Sequence, residues 1–309
     1  NTERCQSATN TWLIYRKSFA VTNVPNQLIA RIAADSKYWL WINDQLVIFE
    51  GGLKRGPSPS GTYYDPVDIA PYLTKGSNTI AILLWHFGKD GFSHINSGKA
   101  ALLFEAIAPG LEIVSDASWQ CALYEAYQNT EAPFPNYRMP ESNIRFDARQ
   151  AITNWNRTSF EGSLPGAVCV GKAGKAPFGD LVERPIPQWK NSGLLSYVSV
   201  RESLRGDTLF CRLPYNAQIT PYLKVEAEAG KTIHIRMDNY EGGSERNVRA
   251  EYITREGEQE YESYGWMNGH EVYYIIPEGV KVLDVKYRET GYNTDLAGSF
   301  HCDDPFYDE

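Results

Sequence analysis

Thr79-Ile80-Ala81-Ile82-Leu83-Leu84-Trp85-His86-Phe87 is the stretch whose reading decides the fold. Ile80, Ile82 and Leu84 alternate with Ala81, Leu83 and Trp85, so both faces of an extended segment are apolar. Such a strand has protein on either side and belongs in the middle of a sheet. Residues 37–50 read as a hairpin: Tyr38-Trp39-Leu40-Trp41-Ile42, then Asn43-Asp44, then residues 45–49. A polar pair that tolerates positive φ between two apolar runs marks the turn. Residues 12–21, 28–34 and 99–107 supply further strands.

If Tyr38, Leu40 and Ile42 face the core, Trp39 and Trp41 lie on the opposite face. Two outward indoles form either a sugar-stacking platform or a surface covered by more protein. We read them as covered, by the Pro-rich chain that follows or by a further domain. Trp85 and the residues after it are a second candidate contact for carbohydrate or for a neighbouring domain. His86 and His94 share this region, but a metal site needs a third ligand, so they are read as ordinary hydrogen-bonding histidines.

Between residues 109 and 187 the periodicity thins. Pro133, Pro135, Pro140, Pro165, Pro177, Pro185 and Pro187 interrupt it, and no long amphipathic helix fits between them. The stretch is nonetheless aromatic-rich (Trp119, Tyr124, Tyr127, Phe146, Trp155, Phe160), which predicts packed irregular chain wrapping the first sheet. Alternation resumes at 194–200, 218–226, 232–237, 249–254, 272–276 and 280–288. Short strands with turn signals between them predict an all-β protein built from two tandem, jelly-roll-like β-sandwiches.

A chain of 309 residues is natural for two domains. Residues 1–188 hold 17 Lys+Arg and 17 Asp+Glu, and residues 189–309 hold 13 and 21, so the net charge of −8 sits in the second part. This places a boundary near 188. An acidic chain without a basic patch argues against a nucleic-acid partner. No run of about 18 apolar residues predicts a membrane span. The five cysteines (Cys5, Cys121, Cys169, Cys211, Cys302) are widely spaced with no Cys-x-x-Cys, which argues against zinc and leaves any disulfide pairing open. Familiar catalytic and nucleotide-binding signatures are absent, and no cofactor is expected. Glu256, Glu258, Glu260 and Glu262 alternate along one strand face. They could be a calcium or paired-carboxylate site, but we read a solvated face balanced by Arg246, Arg249 and Arg255.

Several strings resemble a known family. Residues 34–44, Ala-Asp-Ser-Lys-Tyr-Trp-Leu-Trp-Ile-Asn-Asp, resemble the hairpin of the amino-terminal β-sandwich of bacterial α-L-rhamnosidases of glycoside hydrolase family 78. Tyr64-Asp65-Pro66-Val67-Asp68-Ile69 with Leu73, then Gly76 and Asn78, is similar to the segment that follows. Trp85-His86-Phe87-Gly88, Ser115-Asp116-Ala117-Ser118-Trp119 and Phe146-Asp147-Ala148-Arg149 with Trp155 look like further landmarks. Glu251-Tyr252-Ile253-Thr254-Arg255, Gln259, Glu262, Asn268-Gly269 and Tyr287-Arg288-Glu289-Thr290-Gly291-Tyr292 resemble the sandwich preceding the catalytic barrel. Phe300-His301-Cys302-Asp303-Asp304-Pro305 resembles the entry to that barrel. Asp44 departs from the family's usual Gly and needs either a tolerated left-handed conformation or a different turn.

The resemblance implies an amino-terminal sandwich at 1–188, a second at 189–302, and at 303–309 the start of a linker into an (α/α) barrel not contained in these residues. It implies a non-catalytic part of an enzyme that removes terminal rhamnose from glycans, with no catalytic residue carried over. The implied partners are the barrel of the same polypeptide and, through it, a rhamnose-containing glycan. The implied location is bacterial, periplasmic or secreted. A free-standing carbohydrate-binding module is the alternative. Without a barrel against them, Trp39, Trp41 and the tail from Tyr292 to Tyr307 are expected to be exposed.

Overall fold

The computed structural model describes residues 8–52, 61–92, 94–241, 246–295 and 297–308, and Cys5 lies outside them. The protein is all-β. The first sheet has the order β4-β3-β6-β1-β9, from β1 (Thr11–Val21), β3 (Lys37–Ile42), β4 (Gln45–Gly52), β6 (Gly76–His86) and β9 (Gln120–Leu123). Strand β6 sits at its centre between β1 and β3, as its two apolar faces require. A second sheet stacks on this one with the order β12-β5-β2-β7-β8. It comprises β2 (Ile29–Ala34), β5 (Gly61–Asp68), β7 (Leu102–Ala108), β8 (Leu111–Val114) and β12 (Asp180–Glu183).

The period of two assigns every face. Tyr38, Leu40 and Ile42 of β3 join Ile80, Ile82 and Leu84 of β6 in the core between the sheets, with Ile32, Val67 and Phe104 from the opposite side. The outer face of the second sheet carries Arg31 and Glu105, paired at 3.1 Å and exposed. The turn after β3 holds both residues left-handed, Asn43 at φ 46° and Asp44 at φ 71°. Side chains support the strain: Asn43 donates to the Tyr72 carbonyl at 2.9 Å and accepts from the Thr79 amide at 2.9 Å. Asp44 accepts from the Thr158 amide and hydroxyl. Aspartate is therefore tolerated here because residues 157 and 158 reach back to hold it.

The second sandwich is organised by β14 (Thr208–Ala227), a strand of 20 residues. Its first half pairs with β13 (Ser199–Glu202) and β18 (Met267–Ile275), and its second half with β17 (Gly257–Glu262) and β19 (Lys281–Glu289). A register shift between Arg212 and Ala217 lets one strand serve both layers. Strands β15 (Thr232–Met237) and β16 (Ala250–Ile253) extend the first layer, and Ile219, Leu223, Ile235, Val272 and Tyr274 fill the core. Two of its buried hydroxyls are paired: Tyr197 and Tyr274 meet at 2.8 Å, and Tyr274 donates to the Tyr222 carbonyl at 3.0 Å.

The Pro-rich middle of the chain is shared between the two sandwiches. Strand β10 (Tyr127–Asn129) pairs with β11 (Ile144–Asp147), and β11 runs parallel to β16 in the second sandwich. Arg145 lies opposite Glu251 and reaches it at 2.6 Å. Farther on, β12 returns to pair with β5 in the first. Residues before 188 thus hydrogen-bond into both units.

Candidate functional site

The outer face of the first sheet is where the sequence places its candidates, and it is buried. Trp12, Ile14, Trp39, Trp41, Phe49, Leu83 and Trp85 form an apolar cluster with Tyr124, Tyr127 and Trp155 from the Pro-rich chain. Trp12 stacks on Tyr127 at 3.9 Å and on Trp85 at 4.6 Å, and Trp41 meets Trp155 edge-on at 5.5 Å. The second sandwich adds Tyr264, 4.7 Å from Trp39. Trp39 is 0 % exposed and Trp41 8 %. The indoles are covered, as read from the sequence, by Trp155 of the Pro-rich chain and Tyr264 of the second sandwich, and the expectation that they are exposed without a barrel against them is corrected. Two of the indole N–H groups share one acceptor, the Asn10 Oδ1, at 3.1 Å from Trp12 Nε1 and 2.7 Å from Trp85 Nε1.

Where β3 enters this face, an ion pair is enclosed. Lys37 Nζ lies 3.0 Å from Glu50 Oε1, with side-chain exposures of 0 % and 2 %. The ammonium faces the Trp266 ring at 4.8 Å, and Phe87 and Trp85 at 5.7 and 5.8 Å. Burial pushes the Glu50 carboxyl up, against the pull of Lys37. Beside it Arg288 of β19 lies over the Phe49 ring at 4.6 Å and holds Glu262 with two contacts, at 2.7 and 3.0 Å. The two sandwiches are therefore joined by a stacked aromatic cluster with charges inside it.

His86 and His94 converge on Asp35. His86 Nδ1 is 3.5 Å and His94 Nε2 3.7 Å from Asp35 Oδ1, all three residues buried. Ser36 donates to Asp35 at 2.8 Å, and its Oγ lies 3.2 Å from His94 Nε2 and accepts from the Phe87 amide at 3.1 Å. A serine, a histidine and an aspartate meet here, but the hydroxyl proton goes to the carboxylate and no residue of the trio is open to a substrate. Among the described residues no three ligating groups are arranged for a metal ion. Burial alone would push the Asp35 carboxyl up. The His86 hydrogen bond and charge, with Ser97 donating, outweigh it and hold the group at about 2.

That depression has a pH consequence. A carboxyl lower in the folded state than its unfolded value stabilises above pH ~4, and the contribution vanishes as pH falls towards 2. The expected loss is about 2 kcal/mol over that window, measurable by urea unfolding at pH 5 and pH 2.5. Asp35→Asn should flatten the dependence; parallel profiles for variant and parent would contradict it.

The acidic stripe separates into private contacts. Glu258 meets Lys224 at 2.6 Å, Glu260 accepts from Tyr222 at 2.7 Å, and Glu262 belongs to Arg288. Glu256 precedes the strand and accepts from the Ala229 amide. Of the expected balancing arginines, Arg249 binds Glu251, and Arg255 donates to the Glu256 and Glu258 carbonyls and not to their carboxylates. Sequence reading missed Lys37, Glu50, Asp65 and Arg184. Asp65 binds Arg184 at 2.7 Å and accepts from Tyr38 at 2.8 Å. The signal for it was the Tyr64-Asp65 motif itself, whose aspartate the fold buries as an acceptor.

Other motif residues have similar jobs. Asp68 accepts from the amides of Leu28 and Ala70, and Asn78 closes the 74–78 loop through the Thr74 amide and carbonyl. Phe146 stacks on Tyr252 and Tyr261, while Asp147 caps the turn at Ala148–Gln150 and grips Arg149.

Two β-sandwiches, joined by a buried aromatic cluster and with many of their buried polar side chains bonded within the fold, define the class of the protein as a tandem β-sandwich. No family model matches the chain and no curated protein matches it. Among solved structures, the fold matches the family 78 rhamnosidase of Bacillus sp. GL1 with a TM-score of 0.84 at 16% identity, over 97% of this chain and 55% of that one. It matches the α-L-rhamnosidase of Aspergillus terreus with a TM-score of 0.73 at 18% identity, over 99% of this chain and 37% of that one. The Streptomyces avermitilis α-L-rhamnosidase, solved with L-rhamnose, gives 0.70 at 16% identity, over 97% and 30%. The chain has the fold of part of these enzymes and spans about a third to about half of their length.

Proposed function

We propose that these residues are the non-catalytic sandwich portion of an α-L-rhamnosidase-like hydrolase that acts on rhamnose-containing glycans outside the bacterial cytoplasm. The chemistry would be supplied by an (α/α) barrel of the same polypeptide. The observation that carries this is the match of nearly the whole chain to only part of each rhamnosidase. The private contacts of the acidic stripe point the same way, since glycoside hydrolysis needs one protonated and one ionised carboxyl flanking a cleft. In this reading 1–188 and 189–302 are the two units, cross-tied by β11, and 303–309 opens the connection to the barrel. Trp39, Trp41, Trp85, His86 and His94 serve the junction between units and do not contact sugar. Phe300, Phe306 and Tyr307, 65 %, 81 % and 65 % exposed, would be the face the barrel covers. The coding sequence downstream of Glu309 tests the proposal. A long helix-rich continuation is expected; a stop codon there would contradict it and favour a free-standing carbohydrate-binding module.

A further inference from the structure

Strands β9 and β8, four residues each, end the two sheets of the first sandwich. Residues 164–178 close the gap as a strap fixed near its ends. Cys121 donates to the Pro165 carbonyl and Ala167 to the Trp119 carbonyl, both at 2.8 Å, and Thr62 donates to the Phe178 carbonyl at 2.5 Å. Between these anchors the strap borders a half-open pocket of about 510 Å³, lined among others by Leu13, Ala100, Leu102, Trp119, Ala167 and Phe178. That volume falls in the range of small-molecule sites, roughly 300–1,000 Å³.

The chemistry of the walls names the ligand class. Trp119 already donates its indole N–H to the Val114 carbonyl at 2.7 Å, and Ser115 is bound to the backbone of Phe104. They offer contact surface, not hydrogen bonds. Of the charged residues at the lining, Asp116 is tied to Lys17 and Ser118, which leaves Glu125 and Lys172 without a surplus of cations to attract an anion. We propose that this cavity binds a neutral, largely apolar molecule of two or three rings, independently of the rhamnosidase reading.

The test uses the intact chain and two probes with one skeleton. N-phenyl-1-naphthylamine is neutral, and 1-anilinonaphthalene-8-sulfonate adds a negative charge. Saturable brightening of the neutral probe is expected, with at least ten-fold weaker binding of the sulfonate. Ala167→Trp and Val170→Trp fill the cavity from the strap, both residues being part of its lining. Either one that keeps the parent far-UV circular dichroism should weaken the neutral probe at least ten-fold. A triple change of Phe300, Phe306 and Tyr307 to Ser should leave binding unchanged. The proposal is overturned by unsaturable or absent brightening, by equal affinity for both probes, by full binding in the folded strap variants, or by loss in the tail variant.

Discussion

Lys37→Met should destabilise the protein by about 3–5 kcal/mol, the cost of leaving a buried partner without its countercharge. Glu50 is 2 % exposed and Lys37 Nζ is its ion-pair partner, so the carboxylate would be enclosed without that partner, Arg184 being the remaining cation that acts on it. Lys37→Met combined with Glu50→Leu should recover most of the loss, because a pair of this kind gains little over apolar side chains once desolvation is counted. Denaturant titrations of the parent, the single and the double variant give the comparison. A single variant within about 1 kcal/mol of the parent would mean that the pair is solvated and the junction between the sandwiches open.

Trp39→Ala should cost a similar amount, about 3–5 kcal/mol. Its ring is fully buried between the first sheet and Tyr264, so truncation empties space in the junction itself. With Trp41→Ala added the loss should deepen, since Trp41 packs on a different neighbour, Trp155. Intrinsic fluorescence of the parent should not respond to millimolar rhamnose. A saturable response lost in the double variant, with stability unchanged, would mean that the indoles are reachable and bind sugar.

The faces of β3 and β6 were legible because each alternates cleanly and the residues on both sides are large and apolar. Trp39 and Trp41 could be assigned to the outer face for the same reason. That the Pro-rich chain or a further domain covers them could be read, but not which side chains do so, because Tyr264 and Trp155 lie more than a hundred residues away and carry no periodic signal. The first half of β14 was hidden for a different reason. Leu213-Pro214-Tyr215-Asn216 has the composition of a break, and in the fold it is the irregularity between two pairing registers. Lys37 and Glu50 were invisible as buried groups, since these residue types are ordinarily exposed and only their meeting across β3 and β4 permits burial. Parallel pairing of β11 with β16 was likewise beyond local pattern, as four residues opposite a partner over a hundred positions later leave no trace in spacing.

Turnover of an aryl α-L-rhamnoside by the purified 309-residue chain tests the central claim most directly. The account predicts none, because Glu258, Glu260 and Glu262 of the acidic stripe are committed to separate partners, Lys224, Tyr222 and Arg288. Turnover by this chain that disappears when Glu256, Glu258, Glu260 or Glu262 is changed to Gln would contradict it and place an active site on β17.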